Sequence, residues 1–103
     1  MSGFDDREKS FEAKYKRDQE TLFRITSRRN RLLGLWAAEE FGMPDNQALD
    51  YAKEVVLADF EEPGDDDVVR KVLADFAERG LEIDEQKLRK KMIRLMDEAG
   101  RQI

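Results

Sequence analysis

The stretch LFRITSRRNRLLGLWAAEEF (residues 22–41) decides how this chain folds. It contains the sole tryptophan, Trp36, and the densest apolar run in the sequence. At about 100° per residue, Leu22, Ile25, Leu32, Leu33 and Trp36 fall on one helical face. Phe23, Gly34, Ala37 and Phe41 fall on a second face, roughly a quarter to a third of a turn further round. A helix apolar over so wide an arc has to be covered from more than one side. The stretch is therefore read as the central helix of an all-α domain. Gly34 costs about 1 kcal/mol against alanine in a helix interior, and close approach of another helix would account for it.

Downstream, punctuation is clear. Gly42 followed by Pro44 stops the central helix. Asp45 is the expected N-cap of a second helix over about 46–60, with Leu49, Ala52, Val55, Val56 and Phe60 as its inner pattern. The break EEPG (residues 61–64) ends it. Asp65 or Asp66 caps a third helix over about 66–79, striped by Val69, Val72, Leu73 and Phe76. Its acidic first turn suits the helix dipole. Gly80 closes it. Asp84 caps a fourth helix over about 85–99, with Ile83 and Leu88 placed as a hydrophobic staple. Leu88, Met92, Leu95, Met96 and Ala99 form its inner face. Three short connections predict antiparallel neighbours and a small four-helix bundle.

Upstream, the chain changes character. Phe4, Phe11, Tyr15 and Leu22 make one stripe, but acids and bases alternate around it. Asp5 with Lys9 and Glu12 with Lys16 are acid-before-base pairs at i,i+4, which favour a helix. So few apolar groups do not offset the entropy of ordering about twenty residues. Residues 1–19 are expected to form a flexible N-terminal extension of the first helix, disordered alone and helical against a partner. Residues 20–103 are expected to be the bundle. Widely spaced aromatics on a mixed-charge surface are what helix-in-groove docking uses.

The 103 residues allow one domain with a small core. Charged residues make up 42% of the chain and mean hydropathy is −0.79, which points to a part outside the core. There is no cysteine and no histidine. That removes disulfides, thiolate nucleophiles, the commonest general base and the commonest zinc ligands. Residues 65–67, all aspartate, lack the ligand spacing of a calcium loop and read as helix capping. Adjacent acids such as Glu39 and Glu40 diverge on a helix and make no catalytic dyad. No phosphate loop or nucleophile elbow is present, so no enzyme is expected. No apolar run reaches the length of a membrane span, and the N-terminus has no apolar signal core.

The formal charge of −5 is unevenly placed. Residues 21–38 carry four arginines and no acid, residues 39–85 carry sixteen acids and four bases, and residues 86–103 are basic again. Basic helices packed beside acidic ones are the favoured reading, because an acidic middle repels nucleic acid. Arg24, Arg28 and Arg31 share one helix face at i, i+4 and i+7. Phosphate binding, an acidic partner surface, and pairing with acids of the second and third helices remain open for them. Arg29 lies within the apolar stripe. It either packs its stem inside the bundle or marks where the helix meets another protein.

Several of these segments are familiar. FDDREK (residues 4–9), FEAKY (11–15), Asp18, RRNRLLGLWAAE (28–39), DYAKEVVLADFEEPG (50–64) and the helix over 68–76 resemble the zeta subunit of alphaproteobacterial F-type ATP synthases. The resemblance weakens over the last dozen residues. Lys16 and Arg17 stand where such proteins often have a small residue and a histidine, so the resemblance does not extend to a pH-sensing role at these positions.

The resemblance implies an inhibitor of ATP hydrolysis by the catalytic head, monomeric when free. Its N-terminal segment becomes helical and wedges into a catalytic interface beside the central stalk. On that footing Phe4, Phe11 and Tyr15 are anchors, and Asp5, Asp6, Arg7, Glu8, Glu12 and Lys14 make rim contacts. Arg24, Arg28 and Arg29 are candidates for a hinge and for acidic partner contacts. Trp36, Leu32, Val56, Leu73, Phe76 and Leu88 hold the bundle. It also implies a cytoplasmic location, peripheral to the inner membrane through ATP synthase, and weak adenine nucleotide binding for which no motif is visible. A helical adaptor or nucleotide-sensing bundle without inhibitory activity is the rival expectation.

Overall fold

The computed structural model describes the backbone of residues 2–60 and 64–103 and the side chains of residues 19–60 and 64–103. Its elements are α1 (Ser2–Glu40), α2 (Asp45–Ala58), α3 (Asp66–Glu78) and α4 (Glu85–Gln102). The all-α bundle expected from the sequence is the fold observed. The expected first helix, 20–41, corresponds to the second half of α1. The Glu61, Glu62 and Pro63 part of the second break lies outside the described residues.

α1 organises the rest. α2 packs along one side of it, α4 along another, and α3 bridges α2 and α4. Phe23 meets the ring of Phe60, and Phe41 meets that of Tyr51, so α2 runs back antiparallel along α1. The turn that makes this possible follows from Gly42, at φ +73°. Its N–H donates to the carbonyl of Glu39, and the Met43 N–H donates to that of Ala38, both at 3.0 Å. These two bonds satisfy carbonyls that the helix end leaves over. Gly80 repeats the device for α3, with bonds from Gly80 to Ala77 and from Leu81 to Phe76.

The expected caps are realised unevenly. Asp84 accepts from the Gln86 N–H at 3.0 Å, as its sequence position predicts. Asp45 is the first residue of α2 and Pro44 occupies the cap, without a side-chain bond. Proline has no side-chain acceptor, so Asp45 serves the dipole instead. Asp65 occupies the cap of α3, but its carboxylate does not bond the helix N-terminus. Arg29 holds it.

The core joins Leu33, Ala37 and Ala38 of α1 to Tyr51 and Val55, to Val68, Val69, Val72 and Phe76, and to Leu88, Met92 and Leu95. Leu32, Trp36, Phe41, Leu73 and Ile83 pack against it while partly exposed. Small residues set the α1–α2 spacing: a Cβ at Gly34 would lie 2.5 Å from the Ala52 Cα. The close approach that Gly34 predicted is therefore present.

The inner pattern of the second helix needs correction. Leu49 and Phe60 are exposed, Val56 is half-buried, and the core takes Tyr51, Ala52, Val55 and Ala58 instead. α2 is rotated because Tyr51 brings a large ring inward and also satisfies its hydroxyl, which donates to Asp75 at 2.7 Å. Burial, reinforced by that carboxylate, pushes the hydroxyl's ionisation well above the usual tyrosine range. On α1, Leu22 and Phe23 are likewise exposed, because they lie near the ends of the partner helices.

Candidate partner-docking surfaces

The two sides of α1 treat arginine differently. On the α3–α4 side, Arg29 is only 4% exposed. Its Nη2 donates to Asp65 Oδ1 at 2.7 Å and its Nη1 to Oδ2 at 3.4 Å. Its Nε donates at 2.9 Å to Oδ1 of buried Asn30. The fork geometry of a guanidinium suits this two-point hold on a carboxylate. The hydrogen bonds from Arg29 hold the Asp65 carboxyl below the usual carboxylate range, against the opposing effect of partial burial. Of the two readings open to Arg29, the structure thus shows the internal one. Beside the pair, Met92, Ile93, Met96, Arg89 and Asp97 line a cleft of about 440 Å³.

On the other side, Arg24, Arg28 and Arg31 are exposed. Among the described residues none of the three forms an ion pair, so their pairing with acids of α2 and α3 does not occur there. Those acids point elsewhere. Glu54 and Asp75 bracket Lys71, at 3.6 and 3.2 Å, on the far side of α2, and Asp66 bonds Arg89 of α4. Next to the free arginines, Arg31, Leu49, Ala52, Lys53, Val56 and Leu57 line an open groove of about 410 Å³ between α1 and α2.

The side chains of Phe4, Asp5, Asp6, Arg7, Glu8, Phe11, Glu12, Lys14 and Tyr15 lie outside the described residues. Their backbone belongs to α1, the same helix that carries Arg24, Arg28 and Arg29. Sequence reasoning missed Leu57, Lys53 and the outward turn of Leu49 and Phe60. The signal was available. Leu49, Ala52, Val55, Val56, Leu57 and Phe60 cover too wide an arc of one short helix for all to be buried. Among the described residues no group of three or more acids could hold a metal ion, and no helix is long and apolar enough to cross a membrane.

A helical body, a helix running on beyond it and a basic face that meets no acid among the described residues together offer a surface suited to another protein. The family follows from comparison. A model of the family described as ATPase inhibitor subunit zeta matches residues 1–102, so the chain belongs to that family. A chain solved by solution NMR is 46% identical over 78% of this chain and 91% of its own, with a TM-score of 0.69. No curated protein matches. Family membership makes this chain a non-enzymatic regulator and implies that it binds and inhibits ATP synthase.

Proposed function

We propose that this chain stops ATP hydrolysis by inserting residues 1–19, as a helix, into a catalytic interface of the F-type ATP synthase head, while residues 20–103 hold it there. The observation that carries this reading is the continuity of α1. One helix begins at Ser2, passes through the core at Leu33 to Ala38 and ends at Glu40, with no break between the two parts. A segment joined to its anchor through unbroken helix transmits force along its axis, which a wedge against a rotating stalk requires. The polar, aromatic-studded composition of residues 4–18 suits burial between subunits rather than inside the chain's own bundle.

In this mechanism Phe4, Phe11 and Tyr15 fill apolar pockets of the interface. Asp5, Asp6, Arg7, Glu8, Glu12 and Lys14 pair with polar groups around them. Arg24 and Arg28, exposed on α1, meet acidic groups of the enzyme. Arg29, engaged with Asp65, fixes α1 in the bundle at the base of the lever. Association with the synthase places the protein at the cytoplasmic side of the inner membrane. Purified chain added to its own organism's synthase should block hydrolysis and largely spare synthesis. A form lacking residues 2–18 should keep its helical circular dichroism and lose inhibition. Full inhibition by that form would end the proposal.

A further inference from the structure

The α1–α2 face combines three features that a bundle has no internal use for. Leu57 is 65% exposed, Phe60 61%, Phe23 57% and Leu49 45%. They follow the outer stripe of α2, the turn just after it and the antiparallel neighbour α1, with the ring of Phe23 tilted against that of Phe60, centroids 6.0 Å apart. Arg31 and Lys53 rim the same groove, and Arg24 and Arg28 continue the basic edge on α1. None of these four cations forms an ion pair among the described residues, a state they share with Arg79, Lys87, Lys90, Lys91 and Arg94, but only these four border an apolar groove between α1 and α2. This happens in a chain with 24 acids and 19 bases, where carboxylates are in excess.

We infer that this face is where the bundle grips the ATP synthase head, by receiving an amphipathic helix with acidic flanks. The inference rests on the inhibitory reading above and adds the docking surface and the chemistry of its occupant. From Leu49 to Phe60 the stripe runs about 16 Å, roughly three helical turns. A third helix laid in the groove between two antiparallel ones buries apolar anchors at such spacing. Its flanking acids neutralise the unpaired rim, which fixes register and speeds encounter. A concave apolar groove between two helices fits a third helix better than a flat anionic lipid surface.

The test uses the full chain and the purified catalytic head. Two variants are made, Leu57→Asp with Phe60→Asp, and Arg24→Glu with Arg31→Glu and Lys53→Glu. All five sites are exposed, so the substitutions spare the core, and the charge-reversal set protects the test should the apolar set fail to fold. Each set should raise the half-inhibitory concentration about tenfold or more, with full inhibition still reached at saturation. The charge-reversed form should also lose the salt dependence of the native chain. If folded variants inhibit at the native concentration, the docking surface is wrong and the wedge reading stands. If the native chain does not inhibit, both fall. A native dimer that either set dissociates, or binding to anionic vesicles that the charge set abolishes, assigns the face to another occupant and overturns the inference.

Discussion

The two sides of α1 carry the same residue types and put them to opposite ends. Facing α3 and α4, Arg29 is buried and held by Asp65 and Asn30, and Leu33 is fully enclosed. Facing outward beside α2, Arg28 and Arg31 meet no acid among the described residues, and Leu57 and Phe60 stand in solvent. The inner side is complete in itself. The outer side has apolar area and charge that nothing among the described residues satisfies. Exposed leucine alone means little, but clustered apolar groups with an unpaired charged rim mark a binding face.

The contrast can be broken most directly with leucine. Leu33→Ala should cost about 3 kcal/mol in urea denaturation, because it leaves a cavity in an enclosed site. Leu57→Ala should cost less than about 0.5 kcal/mol. Equal losses would mean that α2's outer stripe is covered in solution. Gly34→Val comes next, at about 2–3 kcal/mol, since its Cβ meets backbone of Ala52 that cannot step aside. Arg29→Ala should cost about 2 kcal/mol, through lost packing of the stem and an unpartnered Asn30. Arg28→Ala should stay within about 0.5 kcal/mol.

The smallest effect sharpens the comparison with pH. Asp65 ionises below its ordinary value of 3.8 in the folded state, so the unfolded chain takes up its proton first as pH falls. Its contribution is therefore complete above about pH 5 and declines as pH drops through and below 3.8. The carboxylate is 46% exposed, which weakens the effect. Asp65→Asn should flatten part of the acid limb of a stability profile. Arg28→Ala should leave that limb unchanged.

Much of this was legible in the sequence. Gly42, Gly80 and Asp84 announced helix ends by backbone chemistry that is local, and local chemistry survives folding. Gly34 announced a neighbour, and Ala52 is that neighbour. What was not legible depended on rotation of a helix about its axis. Tyr51 counts as half-polar in any periodicity reading, yet Asp75 satisfies its hydroxyl and lets the ring turn inward, sending Leu49 and Phe60 out. Arg29 could be placed in the stripe but not given its partner, because Asp65 is thirty-six residues away. The apparent cap role of Asp65 hid its use for another helix.

The meeting of Gly34 with Ala52 also governs mechanics. Sliding α2 by about 6 Å toward its N-terminus, four residues of rise, would set the bulkier Val56 of the same face against the notch. The two helices are thereby keyed, and on the proposed reading thrust arriving along α1 would reach the outer stripe of α2 without slippage. Leverage at one end of the long helix and purchase at the other would then be properties of a single stiff part.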